Sequence, residues 1–219
     1  MPDDAQRHES GSLGASTGPE IALVRIAAAI AGLDENSVKR EMEAAIGQVN
    51  PALVEEVVLQ SYLFAGFPRA LNAARIWRGF AAAPHPETLA ETGGLQEWNE
   101  RGAITCSTVY GAAYDKLREN IRSLHPLLDE WMITDGYGKI LSRPLLDLKL
   151  RELCIVAACA ASGQQRQLHS HLRGALNAGV DASAVEATLD SLADLVPADR
   201  LASYKLLFSR VRRGAPDVH

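Results

Sequence analysis

The sequence predicts an all-α protein, and three observations carry that prediction. Apolar residues recur three and four positions apart through most of the chain, the period of one helix face. No segment shows the alternation and β-branched enrichment of a strand. Hydrophobic residues make up 47% of the chain with Ala heavily used, while aromatics are only 5%. That composition suits closely approaching helices. The 219 residues are enough for one large helical domain or two small ones with a sizeable core.

Taken in order, residues 1–17 (MPDDAQRHESGSLGAST) are polar and read as a disordered tail, without the basic start and apolar run of a signal peptide. Gly18-Pro19-Glu20 opens an amphipathic helix to Gly32, and Asp34 caps the next, which ends at Ile46-Gly47. Asn50-Pro51 supplies a cap and a first-turn proline for a third helix, in which Pro68 predicts a break or kink. The stretch 83–94 holds two prolines, ends in paired glycines and reads as a linker between a helical half at 18–82 and a second helical domain at 95–213. Residues 105–123 place Val109, Ala113, Leu117 and Ile121 at helical spacing. His125-Pro126 opens a short helix with Trp131, and Tyr137-Gly138 and Arg143-Pro144 read as punctuation. A helix from Leu148 ends near Ala161-Ser162-Gly163, and a second runs toward Val180. Asp181 caps a helix to about Leu195, and Leu201–Val211 forms the last one after Pro197.

The two halves hint at internal duplication. Met42–Val58 and Arg173–Leu189 each hold an Ala-Ile or Ala-Leu helix end, a cap, and a helix with Val-Glu. Two Ala-rich hairpins would also look alike by composition alone. In a true duplicate Arg40 stands near the place of His171, making the first copy a scaffold.

Several functions are disfavoured at once. Lys plus Arg is 22 and Asp plus Glu is 27, for a formal charge of −5, with no basic run to hold nucleic acid or an anionic membrane. The longest apolar run, Ile21–Leu33, is interrupted by Arg25 and falls short of a membrane span. Three cysteines with no close pair fit a reducing compartment, so the expectation is a cytoplasmic protein. No His-x₃-His or Cys-x₂-Cys spacing occurs, so no metal site is expected.

One constellation looks like chemistry. On the helix after Gly163, Gln164, Gln167 and His171 fall on one face at about 100° per residue. The preceding helix carries Glu152 early, and Cys159 seven residues on shares its face. Small residues at Ala157, Ala158, Ala160 and Ala161 let the two helices come close. A carboxylate, two amides and an imidazole can therefore meet. The bland alternative is a Glu–His pair that only locks two helices. By the same weighing, Tyr110 and Tyr114 at i,i+4 read as a packing pair, and Cys106 stands alone.

From Thr108 to Leu192 the chain resembles the carboxymuconolactone decarboxylase family of the AhpD-like helical superfamily. The resemblance is carried by Val109-Tyr110-Gly111, His125-Pro126, Tyr137-Gly138, Arg143-Pro144-Leu145-Leu146-Asp147, Arg151-Glu152-Leu153, Gln167-Leu168 before His171, and Gly174–Val180 (GALNAGV). A helix that usually follows this core in the family has its best match upstream, at Val57–Pro68. The superfamily's peroxidase branch has a Cys-x-x-Cys pair where this chain has Gln164 and Gln167, so a thiol-dependent alkylhydroperoxidase activity is disfavoured. The decarboxylase branch keeps the Glu and His without the thiols.

The resemblance implies an AhpD-like helical bundle, a homo-oligomer of trimeric or hexameric type, and a cofactor-free decarboxylase or isomerase. Its substrate would be a small carboxylated lactone or related acid of aromatic catabolism. His171 would supply the proton and Glu152 would orient it. Gln164 and Gln167 would offer amide donors to the lactone carbonyl. Arg151, or Arg143, would hold a second carboxylate, and Cys159 would line the pocket. A non-catalytic oligomeric ligand-binding scaffold is the remaining alternative.

Overall fold

Asp34, Asn50 and Asp147 each begin a helix by accepting a backbone N–H, from Ser37, Ala52 and Leu150 at 2.8, 3.0 and 2.8 Å. The computed structural model describes residues 18–89 and 93–214, so the tail expected over 1–17 lies outside it. Among the described residues every regular element is helical. Helices α1 (Gly18–Gly32), α2 (Glu35–Ala45) and α3 (Pro51–Arg78) precede a short 3-10 turn at Pro86–Leu89. Then come α4 (Leu95–Tyr110), α5 (Tyr114–Leu124), α6 (Pro126–Trp131), α7 (Leu148–Ser162), α8 (Gln165–Asn177), α9 (Ala182–Asp190) and α10 (Ala198–Arg212).

Helix α7 is the axis. All ten residues from Arg151 to Ala160 are buried, so the helix has neighbours on every side. Helix α1 lies against it so closely that a Cβ on Gly32 would sit 2.5 Å from the Ala161 carbonyl oxygen. Helices α3 and α8 cover other faces of α7. Ile26, Val57, Ile155 and Leu172 belong to one hydrophobic cluster that draws on helices from both sides of the 83–94 stretch. Arg25, which interrupts the apolar run of α1, pairs with Glu41 at 2.8 Å and Asp194 at 2.7 Å. No helix among the described residues is long and apolar enough to cross a membrane.

Three local expectations are corrected. The break foreseen at Pro68 falls two residues earlier, where Gly66 takes φ 78° and ψ 160°, a conformation that glycine adopts without a Cβ penalty. The helix expected over 105–123 is divided: α4 ends at Tyr110, Gly111 turns with φ 52°, and α5 starts at Tyr114. Tyr137-Gly138 is no turn. It lies within a π-helical stretch, Met132–Leu141, that continues α6 directly. The glycines there serve close approach: a Cβ on Gly138 would run into the Trp98 carbonyl, and one on Gly102 into the Ile133 carbonyl. Helix α4 and the π-helical stretch therefore pack backbone to backbone.

A buried ion network ties α3 to α7. Glu56 and Arg151 are both fully buried, with Arg151 Nη2 2.7 Å from Glu56 Oε2. Arg143 joins at 2.7 Å, and Gln60 accepts from Arg151 at 3.2 Å while donating to the Arg151 carbonyl at 3.1 Å. Burial works to raise the Glu56 carboxyl, but the hydrogen bonds from Arg143 and Arg151 outweigh it and hold the group below the ordinary glutamate range.

Candidate active site around Glu152 and His171

Glu152 and His171 meet across the α7–α8 hairpin. His171 Nδ1 stands 2.9 Å from Glu152 Oε2. When the carboxyl group is ionised this bond keeps the ring proton on Nδ1 and presents the Nε2 lone pair for chemistry. The Glu152 side chain is wholly buried, whereas 7% of the His171 side chain remains exposed, so the imidazole is the member of the pair that reaches outward. Glu152 Oε1 is buried and has no hydrogen-bond partner among the described residues. An orphaned buried carboxylate oxygen is costly, and a structural lock would be expected to satisfy it.

The remaining walls come from elements that the sequence did not single out. Phe64, delivered by α3 just before the Gly66 break, meets the His171 ring edge to face at 5.7 Å. Tyr137 from the π-helical stretch is buried and packs against Tyr110 of α4 at 6.3 Å between ring centroids. Burial pushes Tyr110 up to about 12, with the Glu152 charge adding to the effect, and raises Tyr137 well above the ordinary phenol value. Tyr110 therefore pairs with Tyr137, not with Tyr114, whose hydroxyl accepts from Arg118 at 2.8 Å. Cys106 and Cys159 are buried and feel the Glu152 charge. Burial first, and Glu152 after it, push both thiols up to about 12. They are protonated at neutral pH and are poor nucleophiles.

The expected amide and cation contacts are not assembled with the pair. Gln164 and Gln167 are exposed at the start of α8. Arg151, expected to hold a substrate carboxylate, is fully buried and committed to Glu56 and Gln60. Arg143 is committed to the same Glu56. Both assignments are corrected for one reason: the two guanidiniums are both engaged by the buried Glu56 carboxylate. A small apolar hollow between α1, α3 and α7 reaches Phe64 and Cys154 but is not lined by Glu152 or His171.

The pattern of the carboxymuconolactone decarboxylase family matches residues 127–204, a span that contains both Glu152 and His171. The chain belongs to this family. A family relative from Schizosaccharomyces pombe, peroxisomal protein 2, is 30% identical over 143 residues, covering 64% of this chain and 67% of that protein. A protein of the same name from Saccharomyces cerevisiae is 25% identical over 173 residues, covering 62% of this chain and 58% of the relative. The chain thus spans only about three fifths to two thirds of these family relatives. Their names overturn the expectation of a cytoplasmic protein, which rested on cysteine usage alone. Three buried free thiols do not distinguish one reducing compartment from another.

Gly174 on α8 leaves room for Glu152 and Val109. A Cβ there would lie 2.6 Å from Val109 Cγ1 and 2.8 Å from Glu152 Oε2. Gly174→Ala is expected to cost about 1–3 kcal/mol by overpacking. It should also shift the His171 ring signals in a histidine-labelled NMR spectrum. Unchanged signals would show that the contact is not needed.

Proposed function

We propose that this chain is a proton-transfer enzyme of the decarboxylase or isomerase type that acts on a small carbonyl compound of the lactone class. The observation that carries the reading is the buried Glu152–His171 pair, in which one carboxylate oxygen orients the imidazole and the other has no partner among the described residues. His171 would exchange a proton with the carbon that gains or loses charge. Glu152 would hold the imidazole in the reactive tautomer. The neutral, buried thiols argue against the thiol peroxidase alternative.

The test does not need the natural substrate. The protein is incubated in D₂O with 2(5H)-furanone, and exchange of the carbon-bound protons is followed by NMR. The expected result is exchange above background that falls by about 10²–10⁴-fold in His171→Ala, with the far-ultraviolet circular dichroism unchanged. Exchange that persists at full rate in the variant would remove His171 from the mechanism. A scaffold reading is favoured by the near-complete burial of the pair, and it would be supported by the lack of any protein-dependent exchange.

The names of both relatives support a peroxisomal setting for this chain. The exposed side chains of Phe67 and Leu71 on α3, and of Leu124, Leu127, Leu128 and Trp131 around α5 and α6, support self-association.

A further inference from the structure

We infer that the substrate of this site is uncharged, an unsaturated carbonyl compound without a carboxylate, and that the reaction is a proton shift between two of its carbons. This rests on the proton-transfer assignment above and narrows its substrate and reaction. The cations on α3, α4, α5, the π-helical stretch and the α7–α8 hairpin that lie nearest the pair are held by other groups or face away from it. On α7, Arg151 is sealed against Glu56, and Arg143 in the preceding loop shares that carboxylate. On the π-helical stretch, the Lys139 ammonium sits 5.0 Å over the Trp98 ring. On α4, Arg101 donates to the Gly138 carbonyl at 3.3 Å. On α5, Arg118 is held by Asp129 and Tyr114. On α3, Arg69 caps the carbonyls at the end of α1, and Arg78 pairs with Glu55. On α8, Arg166 and Arg173 lie about 140° and about 160° around the axis from His171, on the far side of the helix.

Among the described residues, the side chains shown close to the pair are neutral: the Phe64 ring against His171 and Val109 beside Glu152, with the Tyr110–Tyr137 pair and the thiols of Cys106 and Cys159 within reach of the Glu152 charge. A substrate carboxylate brought here would meet the Glu152 carboxylate in a buried setting with no free counter-ion beside it among the described residues. A neutral carbonyl compound escapes that repulsion and finds hydroxyl groups able to donate to its oxygen.

The chemistry balances within the substrate and one side chain. Nε2 of His171 takes a proton from a carbon conjugated with the carbonyl, and the C–H electron pair moves into the carbonyl system as an enolate. The imidazolium then returns the proton to the far carbon of the conjugated system, and the electron pair closes a new C–H bond. Nothing is oxidised, nothing is reduced and no group leaves.

The experiment compares two probes with the same ring, 2(5H)-furanone and 5-oxo-2,5-dihydrofuran-2-carboxylate. Each is titrated into the full chain carrying labelled histidine, with the His171 ring signal as the readout. The neutral probe is expected to bind at least tenfold more tightly than the carboxylate. Equal or tighter binding of the carboxylate would overturn the inference. If that happens while His171-dependent exchange in D₂O persists, proton transfer stands and the uncharged substrate falls. If neither probe moves the His171 signal, both fall together.

Discussion

Replacing Glu56 by Gln is expected to remove about 3–5 kcal/mol of stability, the usual cost of breaking a buried ion pair from one side. The substitution keeps the shape and deletes the charge. Arg151, fully buried, would then be left with neutral acceptors: Gln60, the Leu146 carbonyl at 2.9 Å and the Arg143 carbonyl at 3.1 Å. Burial already draws the Arg151 guanidinium down, with Glu56 opposing that pull, so the loss of Glu56 strikes the group least able to reach water. Chemical denaturation at neutral pH measures the loss. A change below about 1 kcal/mol, the ordinary worth of a surface pair, would show that the network is solvated in solution. The exposed Lys116–Glu119 pair is the comparison, and its disruption should leave the midpoint where it was. The pH dependence has a definite sign. Glu56 is held below the ordinary glutamate range, so its contribution is complete above that range and is lost as pH falls through the folded value. The Gln variant should show a flatter acid limb than the parent.

Gly138→Ala is the second large effect. The added methyl would collide with the Trp98 carbonyl, a backbone atom that no rotamer change can move. Overpacking usually costs about 1–3 kcal/mol, and relief here requires α4 and the π-helical stretch to separate, so a loss of about 3 kcal/mol or more is expected. The same separation would pull Tyr137 from Tyr110. Denaturation gives the first quantity, and the tyrosine near-ultraviolet circular dichroism gives the second. Near-parental values for both would mean that the two backbones are not in contact.

The all-helical architecture was legible because α2, α5 and α8 carry apolar residues at helical spacing and because Asp34, Asn50-Pro51 and Asp147 are local capping signals. The Glu152–His171 pair was legible for the same reason, since a hairpin of two helices fixes which residues can meet across it. Phe64, Tyr110, Tyr137 and Cys106 were not, since they come from elements distant in the chain. Cys106 and Tyr110 do share a face at i,i+4, but that spacing alone does not tell a site wall from packing. Gly138 was misread for a physical reason. Gly138 permits a turn or a close helix approach equally well, and only the neighbouring backbone decides which. Arg151 misled because a cation next to a candidate acid suggests ligand binding, whereas its counter-ion, Glu56, lies 95 positions away.

Because α1 and α3 encase the back of α7, the portion that looks like the family is smaller than the portion that must fold. A fragment trimmed to 127–204 would keep the acid and the imidazole but lose Phe64, Tyr110 and the carboxylate that neutralises Arg151. Such a minimal piece would carry its reactive groups on an unsupported hairpin with a bare cation in the middle. Attempts to excise or transplant the chemistry would have to bring the amino-terminal helices along.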